Sequence, residues 1–119
     1  MESFAQSGAQ GDPALSQAID RLWVRFLPEI KERIAVIQAA ADALATGTSI
    51  GSRREAAHAA AHKLAGVLGT VGLTRGTVLA RELEINFSRD DGPDPVSGKR
   101  LATIATELRA MVESRRTTS

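Results

Sequence analysis

Apolar residues recur at three- and four-residue intervals along most of the chain, and this period constrains the fold more than any other feature. From residue 14 onward every segment shows this spacing, which places its apolar side chains on one face of an α-helix. No segment shows the alternation of apolar and polar residues that a half-buried strand requires. The sequence therefore predicts an all-α chain.

Turn signals divide this pattern into separate helices. Pro28 removes a backbone donor and clashes with the preceding turn, so the sequence predicts a short helix up to about residue 26 and a long one over residues 28–45. Gly47 and Gly72 follow apolar stripes at positions typical of helix ends. They are expected to end the first and second long helices.

Later signals define the remaining helices. Ser52 and Glu55 have the spacing of a capping box, in which each side chain pairs with a backbone N–H of the new helix. Residues 88–95 are rich in Asp, Gly and Pro and predict the turn before the last helix. We therefore expect an up-down-up-down four-helix bundle with a short additional N-terminal helix packed on one end. Trp23 and Phe26 are expected to hold that short helix against the bundle.

A chain of 119 residues fits one domain, and its composition narrows what that domain does. We expect a flexible lead-in over residues 1–13, the bundle over residues 14–114 and a polar tail over residues 115–119. The absence of cysteine leaves neither disulfides nor a thiolate metal site. The net charge of +1 and the 3% aromatic content argue against a nucleic-acid partner. Without a signal peptide or a membrane-spanning apolar run, the sequence predicts a cytoplasmic monomer with no membrane partner.

His62 lies in the second long helix among residues with almost no side chain. At about 100° per residue, His62 and Gly66 fall on the face opposite the apolar stripe, so the imidazole is expected to point outward. That stripe consists of Ala57, Ala61, Leu64, Leu68 and Val71. An interior glycine costs about 1 kcal/mol relative to alanine. Gly66 and Gly69 therefore indicate that a partner must approach this face closely.

An exposed imidazole on a rigid helix can accept a phosphoryl group on a ring nitrogen and pass it on, because phosphoryl transfer relies mainly on positioning and charge stabilisation. At these residues the chain resembles the histidine-containing phosphotransfer (HPt) domains of bacterial phosphorelays. The usual signature of that family is His-x-Leu-Lys-Gly, and residues 62–66 read His-Lys-Leu-Ala-Gly. Residues 69–73 and 79–84 are similar to the third-helix region of the family.

The resemblance implies a four-helix bundle in which His62 is the phosphorylated residue, Leu64 anchors the core and Gly66 gives clearance. The implied partners are receiver domains of response regulators and histidine kinases. Any Mg²⁺ would belong to the receiver domain, so the chain would be a relay intermediate with no cofactor or metal of its own. The surface for docking and clearance is expected to comprise His58, Ala59, Lys63, Ala65, Gly66 and Gly69.

The chain departs from the family pattern at Ala65, where a lysine is common and would meet the phosphoryl oxygens. Lys63 is not an obvious replacement, because it lies about 100° around the helix from His62. Arg75 and Arg81 on the third helix are the other candidates for the missing positive charge. This departure leaves open an alternative function, that of a helical adaptor that docks a receiver domain or kinase without relaying phosphate.

The spacing of His58 and His62 also allows a zinc or copper site, because residues four apart share one helix face. Glu55, one turn earlier, would be a third ligand. The chain contains no cysteine and only two histidines, which argues against a closed site of this kind.

Overall fold

The structure is a computed structural model that describes residues 13–89 and 93–115. Within these ranges the chain forms α-helices and no strands, which confirms the all-α prediction. The helices are α1 (Pro13–Ala45), α2 (Gly51–Thr70), α3 (Thr74–Phe87) and α4 (Pro95–Ser114). None of the helices in the described part of the chain is both long and apolar enough to span a bilayer.

The helices form an antiparallel bundle around one apolar core. α1 packs against α2 and α4, while α3 packs mainly against α2. Arg54, near the start of α2, donates to the carbonyl oxygen of Phe87 at the end of α3 over 2.8 Å, so these two helices run in opposite directions. All four helices contribute large, fully buried side chains, namely Ile30, Ile37, Leu64, Leu68, Leu83, Phe87, Leu101, Ile104 and Leu108. The predicted four-helix bundle is therefore confirmed.

Pro28 does not interrupt α1, and the predicted break and separate N-terminal helix are wrong. α1 is one helix of 33 residues with Pro28 inside it. An interior proline costs roughly 3 kcal/mol. Trp23 before it and Ile30 and Ile34 after it are all buried in the same core, and each such side chain contributes roughly 1.5–3 kcal/mol. Burial on both sides of Pro28 thus outweighs the lost hydrogen bond.

The predicted glycine stops are confirmed at both positions. Gly47 and Gly72 have φ of 82° and 84°, the left-handed region that glycine adopts without strain. After α2, the N–H of Leu73 donates to the carbonyl of Leu68 and that of Gly72 to Gly69, the pattern of a Schellman motif. These bonds satisfy the last carbonyls of α2 and turn the chain directly into α3.

The predicted capping box is wrong, because α2 begins at Gly51 and no side chain caps its first turn. Ser52 therefore lies inside the helix. A side-chain cap is found on α4 instead, where the backbone N–H of Ser97 donates to Asp94 over 2.9 Å. Pro95 occupies the first turn of that helix, where its missing N–H is tolerated.

The structure describes one residue of each predicted tail, Pro13 and Arg115. Pro13 belongs to α1 rather than to the predicted lead-in, and residues 1–12 and 116–119 lie outside the described residues. Arg115 directly follows the end of α4, and its side chain is only 16% exposed and lies 3.5 Å from Asp20 of α1. Its guanidinium also stacks over the Trp23 ring at 4.7 Å, which fastens the end of α4 to α1.

Candidate functional site

His62 occupies the middle of α2 and faces away from the core, as the helical period predicts. Its side chain is 66% exposed, whereas Leu64 and Leu68 of the same helix are fully buried. These anchors fix the orientation of α2, and the helix backbone fixes the position of the imidazole. The ring is therefore both accessible and held on a rigid element.

Glu84 of α3 holds one nitrogen of the His62 ring. The Nδ1 atom lies 2.8 Å from Oε2 of Glu84. An ionised carboxylate can only accept a hydrogen bond, so Nδ1 carries the proton that is shared. In a neutral ring the lone pair then resides on Nε2, on the far side from Glu84. The contact thus favours the tautomer in which Nε2 carries the exposed lone pair.

Glu84 was missed by the sequence analysis, although it lies in a stretch that carries the family resemblance. Glu82 and Glu84 are two residues apart and so lie about 200° apart around α3. Glu82 pairs with Arg100 of α4 at 3.0 Å, and Glu84 pairs with His62 of α2. Each carboxylate therefore faces a different neighbouring helix. The sequence shows that the two flank the apolar stripe, but the arrangement of helices decides which one meets the histidine.

The two glycines beside His62 are not required by packing within this chain. A Cβ built on Gly66 would meet nothing within 4 Å, and one on Gly69 would only touch Oγ1 of Thr77 at 3.4 Å. Alanine would fit at Gly66 and would favour the helix by about 1 kcal/mol. The open space at Gly66 is consistent with the predicted clearance for a partner.

Ala65 does not belong to the exposed docking surface, contrary to the prediction. It is 1% exposed, and its carbonyl accepts a hydrogen bond from Oγ1 of Thr77 over 3.3 Å. This position turns toward α3, which packs over it. Ala59 and Lys63 are exposed and His58 is half-buried, so these residues remain available to a partner.

The structure separates the two arginines of α3 that were candidates for extra positive charge. Arg75 pairs with Glu107 of α4 at 2.7 Å, on the side of α3 that faces away from α2. Arg81 lies beside the histidine site, with Nη1 at 3.8 Å from Oε1 of Glu84. Lys63 forms no ion pair with any of the described residues. Arg81 is thus the arginine that α3 brings to the site.

The alternative of a metal site finds no support in the geometry. Within residues 13–89 and 93–115, no three His, Asp or Glu side chains come together as a cluster that could hold a metal ion. Glu55, His58 and His62 therefore do not form the predicted alternative site, and the neighbour of His62 is Glu84.

Comparison with known families agrees with the fold and with the resemblance seen in the sequence. A family model described as the Hpt domain matches residues 21–117, which cover all but the first part of α1 and the end of the chain. Comparison with curated proteins and with solved structures found no match.

Proposed function

This chain belongs to the Hpt domain family, whose members carry out histidine phosphotransfer in phosphorelay signalling, and we propose that His62 is its phosphoacceptor. The observation that carries this proposal is the exposed imidazole whose Nδ1 is bound by Glu84 at 2.8 Å. Nε2 is then free to attack a phosphorus atom. A ring held at one nitrogen on a rigid helix also meets the need of phosphoryl transfer for positioning.

Transfer to His62 needs one bond to form and one to break. Nε2 attacks the phosphorus of an aspartyl phosphate on a receiver domain, the P–Nε2 bond forms, and the acyl P–O bond breaks to regenerate the partner's carboxylate. The ring keeps its Nδ1 proton and becomes positively charged. The Glu84 carboxylate stabilises that charge through the existing hydrogen bond. In the donating step, an aspartyl carboxylate of a second receiver domain attacks the phosphorus, a new P–O bond forms, and the P–Nε2 bond breaks to leave the neutral ring.

The partner completes the site. Hpt domains interact with receiver domains and histidine kinases, and we propose a receiver domain as the direct partner of His62. The partner would supply the Mg²⁺ that shields the phosphoryl oxygens. Gly66, Ala59 and Lys63 surround the imidazole with short or flexible side chains, so the loops of a receiver domain can reach Nε2.

The proposal is tested by intact mass measurement after incubation with a phosphorylated receiver domain. We expect the wild-type chain and His58→Gln to gain one acid-labile phosphate and His62→Gln to gain none. His58→Gln is the matched control, because His58 lies on the same helix one turn away. A phosphate gain in His62→Gln, or none in the wild-type chain with its fold intact, would reject His62 as the acceptor.

A second candidate function rests on the alanine at position 65. A buried Ala65 supplies no cation to a phosphoryl group on His62, which favours an adaptor that docks a receiver domain without relaying phosphate. The mass measurement and a binding titration of His62→Gln with the receiver domain together separate the two functions. An adaptor would bind the receiver domain with unchanged affinity in His62→Gln and would gain no phosphate in the wild-type chain.

A further inference from the structure

Resting on the proposed role of His62, we propose that Arg81 binds the phosphoryl group on Nε2 and is the residue of this chain that offsets its charge. A phosphoryl group brings about two negative charges at neutral pH, and the carboxylate of Glu84 already stands beside the ring. The phosphoryl group and the Glu84 carboxylate would be held on the same ring, and their negative charges repel each other. The phosphorylated site therefore needs a cation, and the buried Ala65 does not provide one.

Arg81 lies opposite the segment of α2 that follows His62. α2 and α3 are antiparallel, with Glu84 bonded to His62 and Thr77 bonded to Ala65. Arg81 falls between Thr77 and Glu84 in sequence, so its backbone lies level with the turn that begins at His62. Gly66 in that turn has open space beside it, because a Cβ built there would meet nothing within 4 Å.

The guanidinium of Arg81 is free to move toward a phosphoryl group. Its side chain is 60% exposed, and its contact with Glu84 is long, at 3.8 Å. An exposed pair of this kind holds its partners weakly. Phosphorylation would give Arg81 a doubly charged acceptor, to which guanidinium donates two parallel hydrogen bonds. Glu84 would then be bound to the ring and Arg81 to the phosphoryl oxygens.

Two other arginines of the described residues, Arg75 and Arg100, are paired with carboxylates on neighbouring helices. Arg75 donates from two nitrogens to one oxygen of Glu107, at 3.2 and 2.7 Å. Arg100 of α4 likewise donates from two nitrogens to one oxygen of Glu82, at 3.2 and 3.0 Å. Glu82 lies about 200° around α3 from Glu84, so this pair is on another side of the helix. Lys63 follows His62 directly and so lies about 100° around α2. Among the described residues, Arg81 is the cation that the packing of α3 against α2 places beside the pair of Glu84 and His62.

The test compares Arg81→Ala, Arg81→Lys and the control Arg75→Ala, with phosphoramidate as the small phosphoryl donor. In the donor the P–N bond breaks and ammonia leaves as the P–Nε2 bond forms. We expect Arg81→Ala to slow phosphate uptake roughly tenfold, Arg81→Lys to fall between it and the wild type, and Arg75→Ala to leave the rate unchanged. The ³¹P resonance of phosphorylated His62 should also move in Arg81→Ala but not in Arg75→Ala, which a purely structural role of Arg81 would not cause.

The outcomes distinguish this inference from the function on which it rests. Uptake on His62 at equal rates in Arg81→Ala and Arg75→Ala, with equal ³¹P resonances, would overturn the role of Arg81 and leave His62 as the acceptor. No uptake by the wild-type chain from either phosphoramidate or a phosphorylated receiver domain would overturn both. Circular dichroism of each variant confirms that the helices are intact.

Discussion

At the scale of single residues, the site depends on what surrounds His62 rather than on the histidine alone. Gly66 and Ala59 leave the ring open, and the carboxylate of Glu84 orients it. Gly66 is informative because nothing in the chain itself requires glycine there. Its cost to the helix is about 1 kcal/mol, and the clearance of a partner is the reason that we propose for keeping it.

Substitutions at Gly66 test this clearance. Gly66→Ala should raise the free energy of unfolding by up to about 1 kcal/mol, measured by urea denaturation.

Gly66→Leu should keep the fold and accept phosphate from phosphoramidate at the wild-type rate. It should lose transfer from a receiver domain, because the leucine obstructs a large partner only. Efficient transfer from the receiver domain to Gly66→Leu would contradict the clearance role.

At the scale of the helices, local signals explain most boundaries. Gly47 and Gly72 end helices because their left-handed backbone allows the closing hydrogen bonds. Asp94 begins α4 by accepting from the N–H of Ser97. This hydrogen bond lowers the pKa of the Asp94 carboxyl below its usual value, with a smaller contribution from the positive charge of Arg89.

The cap on α4 makes a prediction for the pH dependence of stability. A lowered pKa in the folded state means that the stabilising contribution of Asp94 is present above the unfolded pKa and is lost as pH falls through the folded pKa. Asp94→Ala should therefore be less stable than the wild type at pH 7, and the difference should shrink below about pH 4. Urea midpoints of both chains from pH 7 to pH 2 measure this. A difference that stays constant over that range would show that the charge of Asp94 does not contribute.

At the scale of the whole molecule, the packing of α3 against α2 creates the site. The imidazole comes from α2, whereas Glu84 and Arg81 come from α3. Neither helix alone holds the histidine in one tautomer. The turn at Gly72 and the contact between Thr77 and Ala65 set the register of the two helices, so the geometry around Nε2 is a product of tertiary structure.

Variants of the two glutamates of α3 test this arrangement. Glu84→Ala should slow phosphate uptake from phosphoramidate roughly tenfold, because the hydrogen bond that fixes the tautomer is lost. Glu84→Gln should be affected less, since its amide oxygen still accepts from Nδ1. Glu82→Ala is the matched control, as Glu82 binds Arg100 instead. The ¹⁵N shifts of His62 should report loss of the Nδ1–H tautomer only in Glu84→Ala, and equal shifts in Glu82→Ala and Glu84→Ala would contradict the role of Glu84.

The sequence by itself determined the helical class, the glycine stops and the outward direction of His62. These features follow from the period of the apolar residues and from local backbone preferences, which act within a few residues. The tertiary structure alone decided that α1 continues through Pro28, that Ala65 is covered by α3, and that Glu84 rather than Glu82 meets the histidine. Each of these depends on which helix packs beside which, and that arrangement is set by burial summed over the whole core.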